Sequence, residues 1–297
     1  MRARFMAAKH DDNSTDAFSP VAKYTFPISD SVALSAYLDT KPQNMKIANL
    51  QKGLIFVYNG VDVIGEGTGF GVPILKYSDE TYFSGSSNLH VHKQGNLVVI
   101  RKEFFMDLVA RERFRNIRLE NRKIRTLIDY MSMLYQKYKR LDRSILLVKG
   151  LLLRFGVQPS FIRIPSKAKV TVTYIIDRRR ILVEMNFSLL DRTNLEKVFV
   201  LNEQGAWFFR TYSDLDGLRL VDEEIGAWTD VKAQSAKITD YHERIGFGLK
   251  NMKGGILRRG RELLKDSLDW VGLDYELSPE NDSFEYEIEI LGPVQLQ

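Results

Sequence analysis

The sequence predicts a mainly β chain of the α+β class: a large antiparallel β-sandwich carrying a long helical insertion at about residues 105–156. Three observations predict it. Asn59-Gly60 separates the β-rich runs LIFVY and VDVIGE, and residues that tolerate positive φ at that place are a strong hairpin signal. Ile124, Leu127, Met131, Leu134, Tyr138, Leu141, Ile145, Val148 and Leu152 then recur at alternating spacings of three and four, the seam of one helical face. After Lys167 strand patterns return, ending in FEYEIEI, where Phe284, Tyr286, Ile288 and Ile290 alternate with Glu285, Glu287 and Glu289.

The elements follow in order. Residues 1–20 are polar and poorly patterned and read as a disordered tail. From Lys23 to Arg101 short apolar runs alternate with polar turns, KQGN at 93–96 among them. Phe114 and Ile117 extend the helical seam backwards, RLDRS at 140–144 breaks it with Ser144 as a cap, and Gly156 ends it. Beyond it, KVTVTYII-DRRR-ILVEMNF and KVFVL-NEQG-AWFFRTY each read as a hairpin, and the glutamates of FEYEIEI imply a sheet with one wet face. Residues 21–297 are expected to form one sandwich domain, because no Pro/Gly/Ser linker flanks the helices. The alternative is two β domains, 21–104 and 157–297, joined by helices. A chain of 297 residues with this many strands resembles the mutarotase-like supersandwich carbohydrate proteins at the level of fold. The likeness implies a supersandwich-like arrangement of the two flanks.

Composition excludes several classes. There is no cysteine, so disulfides and thiolate chemistry are ruled out. The N-terminus lacks the apolar stretch of a secretory signal, and SILLVKGLLLRFGV is interrupted by Lys149 and too short to span a bilayer. A soluble, cytoplasmic protein without a transmembrane segment is expected. Neither GxSxG nor HExxH occurs, which removes the serine-elbow and zincin readings.

GEGTGFGVP, Gly65 to Pro73, looks like a phosphate loop but lacks both the GxGxxG and the P-loop spacing, and strand pattern follows it where a helix should open. It reads as a strand with a bare glycine face, and close packing of a neighbouring element is favoured over a ligand platform. Glu66 falls on its other face. His90 and His92 of NLHVH share a strand face and could act as acid and base, a reading that Glu66 would support if it lay across the sheet from them. A metal would need a third ligand, and none has a suitable spacing, so neither metal nor cofactor is expected.

YSDLDGLRLVDEEIGAW is the densest polar segment. An EF-hand is excluded because Tyr212 occupies the first ligand position and the flanks read as strands. The segment instead offers carboxylates beside aromatic platforms, Glu203 and Trp228 included. Glycoside chemistry needs two carboxyls roughly 5–10 Å apart. The candidate catalytic set is Glu223, Glu224, His90, His92 and Glu66, with Trp228, Trp207, Tyr82, Asp214 and Asp216 as ligand contacts. Arg111, Arg115, Arg118, Arg122 and Arg125 form a basic helical stripe, and Arg101 to Arg143 carries more net positive charge than the +5 of the whole chain. Such a stripe suits a polyanion or nucleic acid, or an internal salt-bridge face. The expected function is carbohydrate binding or modification in an acidic-aromatic groove. The alternative is a non-enzymatic scaffold that forms a homo-oligomer through its helical seam or binds polyanions through the stripe.

Overall fold

The computed structural model describes residues 23–38, 51–65, 67–78, 80–95, 97–112, 160–264 and 268–292. In chain order the strands are β1 Lys23–Pro27, β2 Val32–Tyr37, β3 Ile55–Tyr58, β4 Val61–Asp62, β5 Gly69–Tyr77, β6 Thr81–Gln94, β7 Leu97–Glu112, β8 Ser160–Asp177 and β9 Arg180–Asn186. They continue as β10 Leu195–Gly205, β11 Phe209–Asp214, β12 Arg219–Val221, β13 Thr229–Asp230, β14 Ser235–Asp240, β15 Gly246–Lys250, β16 Gly255–Leu264, β17 Leu268–Leu277 and β18 Ser283–Leu291. A 3-10 turn at Asp222–Ile225 is the one helical element among the described residues.

β1 to β4 form a small antiparallel sheet. The other strands form one 14-stranded sheet in the order β12-β11-β14-β15-β18-β9-β8-β7-β6-β5-β10-β17-β16-β13. The antiparallel sandwich expected from the sequence is present, made by this sheet turning over on itself through the long strands β6 and β7. Phe70 of β5 meets Phe247 of β15 at 5.0 Å between ring centroids, and Tyr275 of β17 meets Tyr286 of β18 at 4.9 Å. An edge-to-face chain runs on from Phe247 to Phe209 and Phe56, which brings the small sheet onto the same core. Each such contact contributes about 0.5–1.5 kcal/mol beyond area burial. The free edges meet as well. Asp222 accepts from Arg210 of β11 and from Arg261 of β16, and Arg259 of β16 lies over the Tyr212 ring.

The helical insertion at 105–156 is corrected at its start. Residues 105–112 belong to β7, which pairs with β8 from Leu97 opposite Asp177 to Glu112 opposite Ser160. Ile100, Lys102, Phe104 and Met106 alternate inward, a period of two that the later helical seam concealed. The inward Lys102 is satisfied by the backbone carbonyls of Tyr37 and Lys52. Residues 113–159, with the rest of the expected seam, lie outside the described residues.

Two further expectations change. NEQG is no hairpin turn: β10 runs through it to Gly205 and pairs with β5 and β17, while β11 pairs with β12 and β14. Asn202, Glu203 and Gln204 are buried strand residues, and each is hydrogen-bonded. GEGTGFGVP is not a regular bare-faced strand either. β5 begins only at Gly69; Gly69 and Gly71 have φ of 86° and 76°, and the register with β10 shifts beside them. Close packing, the favoured reading, is what the glycines serve. A Cβ on Gly71 would lie 2.9 Å from the Tyr174 ring, and one on Gly69 2.7 Å from the Leu54 carbonyl oxygen.

The approach at Gly71 pins the layers. The Tyr174 hydroxyl of β8 donates to the Phe70 carbonyl at 2.8 Å, and the Tyr286 hydroxyl of β18 donates to Asn202 Oδ1 at 2.7 Å. The same Asn202 oxygen accepts from Gly71 N at 3.1 Å, and its Nδ2 donates to Leu273 O at 3.1 Å. Beside this knot, Glu203 and Asp274 share the dry interior. Glu203 Oε2 accepts from the Thr68 hydroxyl at 2.9 Å, and Asp274 Oδ1 accepts from Asn202 N at 2.7 Å. Burial pushes the Glu203 carboxyl up to about 7, against the pull of the Thr68 hydrogen bonds and of Lys52. Burial and the neighbouring Glu203 charge likewise hold Asp274 well above the carboxylate range, with Arg258 opposing.

Gly71→Ala is expected to cost about 2–4 kcal/mol in urea denaturation, since it combines a left-handed φ with a collision against Tyr174. Gly60→Ala, at φ 80° with nothing within 4 Å, is the control and costs about 1 kcal/mol. The buried pair predicts a pH dependence. Glu203 titrates at 4.5 when unperturbed and at about 7 in the fold, so its stabilising share is complete below 4.5 and is lost as pH rises through about 7. Denaturation series across that range should show Glu203→Gln with a shallower fall than wild type. Parallel curves would contradict the raised carboxyl.

Candidate functional site

The outward faces of β6, β7, β8, β9 and β18 line up as rows of side chains, because strand registry puts residues of one parity on one face. One row runs His90, Arg101, Thr173, Glu184, Glu285, each opposite the next on the adjacent strand. The row beside it runs Asn88, Glu103, Thr171, Asn186, Ser283. The sequence folds this way because each inward neighbour is apolar or satisfied. Ile100, Val172, Val183 and Phe284 are all buried on the other face.

Seven residues of these rows, Arg101, Thr171, Thr173, Glu184, Asn186, Ser283 and Glu285, line a cavity of about 430 Å³ together with Met185 and Phe284. Its two sides differ in charge. On the β7–β8 side Glu103 Oε1 accepts from Arg101 Nη2 and from Lys169 Nζ, both at 3.1 Å. Those contacts, the Lys169 hydrogen bond first, hold the Glu103 carboxyl below its ordinary range. On the β9–β18 side Glu184 stands directly opposite Glu285, and neither has an ion-pair partner among the described residues. Opposed like charges destabilise a strand pair, with Cβ atoms about 4.5–5.5 Å apart. The pair is a local cost on an otherwise consistent sheet. The arrangement offers fixed donors (Arg101, Thr171, Thr173, Asn186) facing two free carboxylates that can accept hydrogen bonds or a proton.

The residues singled out in the sequence are dispersed. His90 and His92 are exposed on one face of β6, and His90 ends the floor row beside Arg101. Glu66 lies outside the described residues. Glu223 and Glu224 are exposed on the 3-10 turn, where Glu224 Oε2 accepts from Val221 N at 3.1 Å. Asp214 braces the β11–β12 turn by accepting from the Asp216 and Leu218 amides, which leaves Asp216 exposed at the tip. Trp207 is exposed in the β10–β11 connection against Phe208, and Trp228 packs on the backbone of Gly260. The Tyr82 hydroxyl donates to Glu80 at 2.9 Å. None of these nine described residues lines the cavity above. Arg111 is the last residue but one of β7, opposite Phe161, on a strand and not a helix. Arg115, Arg118, Arg122 and Arg125 lie outside the described residues, as does the seam on which the self-association reading rests.

Sequence reasoning missed Arg101, Thr171, Thr173, Glu184 and Asn186. Their signal was the polar half of the alternation in KVTVTYII and ILVEMNF. That half gains meaning only when five strands are set in register. Among the described residues no three His, Asp or Glu side chains converge as a metal set, and no helix is long and apolar enough to cross a membrane.

No family model matches the chain, and no curated protein is significantly similar to it. Among solved structures, an α-N-acetylgalactosaminidase, NagBb, from Bifidobacterium bifidum in complex with GalNAc aligns over 91% of this chain with 9% identity and a TM-score of 0.48. The chain spans only 36% of that enzyme's length. A protein of Synechocystis aligns over 93% of this chain with 10% identity and a TM-score of 0.39, and the match covers 99% of its length. A galactose mutarotase related enzyme from Lactobacillus acidophilus aligns over 92% of this chain and 99% of its own, with 7% identity and a TM-score of 0.34. Distant structural neighbours of this chain thus include a carbohydrate-active enzyme and a mutarotase-related protein, at similarities too low to assign a family or an activity.

Proposed function

We propose that the chain is a carbohydrate-binding protein whose ligand lies on the polar floor of β6, β7, β8, β9 and β18. The observation that carries this reading is the pair of adjacent rows ending at Glu285 and Ser283, of which seven residues, from Arg101 and Thr171 onward, line a cavity of about 430 Å³. Small-ligand sites fall at about 300–1,000 Å³, with a few well-placed polar groups that fix orientation. Here the polar groups are unusually many, neutral and charged are mixed, and all stand on strands. A polyhydroxylated ring needs such a surface, since every hydroxyl withdrawn from water must find a partner.

Arg101, Thr171, Thr173 and Asn186 serve as donors in this reading, and Glu184 and Glu285 accept from ring hydroxyls. The opposed carboxylates are also the groups nearest to acid–base work, with His90 at the far end of the row. Carbohydrate modification would therefore run through Glu184 and Glu285. Glu223, Glu224 and Trp228 have no part in it, because they line neither the floor nor its cavity.

A glycan-array screen followed by calorimetry on the best saccharide tests this. Glu184→Ala and Asn186→Ala are each expected to weaken binding about tenfold, or about 1.4 kcal/mol, while Trp228→Ala changes it less than about twofold. Loss of binding in Trp228→Ala with Glu184→Ala unaffected would move the site to the acidic-aromatic segment.

A further inference from the structure

The polar face does not end at β18. A second cavity of about 270 Å³ opens on the same side of the sheet, floored by β11, β14, β15 and β18. Its central row runs Ser213, Lys237, Gly248, Glu289 across those four strands. β18 belongs to both cavities: Glu285 lines the first, and Glu287 and Glu289 line the second. At about 3.4 Å per residue, Glu285 and Glu289 are about 14 Å apart along the strand. Leu182 borders both linings, opposite Glu287 and two residues along β9 from Glu184, and Ile175 lies opposite Leu182 on β8, both half-buried.

We propose that the second cavity is a further saccharide subsite, so that the ligand is an extended oligosaccharide of neutral or amino sugars and not a single ring. This rests on the carbohydrate reading of the first cavity. Half-exposed Leu182, beside Glu184 of the first lining and Glu287 of the second, offers an apolar surface for the carbon face of a ring that passes from one cavity to the other. Gly248 gives the second cavity a bare floor on which a ring can approach the sheet. Charge selects the class of sugar. The first lining has two carboxylates to one cation, Glu184 and Glu285 against Arg101. The second has three to two, Asp214, Glu287 and Glu289 against Lys237 and Lys250. A chain of uronic acids would meet an excess of like charge at both ends, whereas neutral or protonated amino sugars meet none.

The test is calorimetry with oligomers of one to six units of the sugar that the array selects, with oligogalacturonate as the anionic probe. Gly248→Phe blocks the second cavity. A Cβ at Gly248 meets only the Ala236 carbonyl oxygen at 3.4 Å and Lys237 Cβ at 3.7 Å, so the new side chain stands outward without backbone collision. Lys250→Ala, on an exposed side chain, is the gentler second variant. Affinity is expected to rise about tenfold or more once the oligomer reaches the second cavity, in line with joined subsites. Gly248→Phe should abolish that rise and Lys250→Ala should reduce it, while both leave the single sugar unchanged and oligogalacturonate unbound. Affinity that is independent of length, or a rise unaffected by both variants, would overturn the second subsite and leave the first reading standing. No binding of any sugar on the array would overturn both.

Discussion

The side chain of Asn202 holds together what the rest of the fold depends on. It stands in the middle of β10, receives Gly71 N of β5, donates to Leu273 O of β17, and accepts the Tyr286 hydroxyl from β18 in the facing layer. With the Tyr174 hydroxyl on Phe70 O, this fixes the register between the two layers of the sandwich. Both tyrosines come from floor strands, β8 and β18, so the interior knot holds the exterior rows in place. Burying these polar groups costs free energy unless each finds its partner, and that requirement makes one layer register far better than its neighbours.

The knot also explains the glycines. A ring from β8 can reach the β5 backbone only if nothing projects from residue 71, and the shifted register beside it needs positive φ. Glycine satisfies both demands at once. The close packing that the sequence favoured here over a ligand is, at Gly71, the approach of Tyr174.

The sequence was legible wherever one face is wet and the local period is clean. Asn59 and Gly60, with φ of 49° and 80°, form the expected turn between β3 and β4. FEYEIEI became β18 with its aromatic and aliphatic residues buried and its glutamates outward. Legibility failed where polar residues were buried. Asn202, Glu203 and Gln204 have the composition of a turn, and only contacts with Gly71, Thr68 and Phe56 more than a hundred residues away make them strand. It failed again at β7, where the three-and-four spacing of the following segment carried the expected helix back over residues 105–112, which continue the strand. The floor was invisible for another reason. Half-buried Thr173 and exposed Glu184 are ordinary strand residues until registry sets them beside Arg101 and Glu285, and registry is a long-range property.

A sheet face is a rigid base for recognition, since its side chains stand on backbones whose hydrogen bonds are already made. The central claim is that a saccharide lies across those rows. Titrating the protein with the array-selected saccharide, and following the Thr171 and Thr173 methyl resonances together with the indole resonances of Trp207, Trp228 and Trp270, tests it most directly. The account predicts saturable shifts of both threonine methyls while the Trp207 and Trp228 indoles stay fixed. Shifts of those two indoles with the threonine methyls unmoved would contradict it.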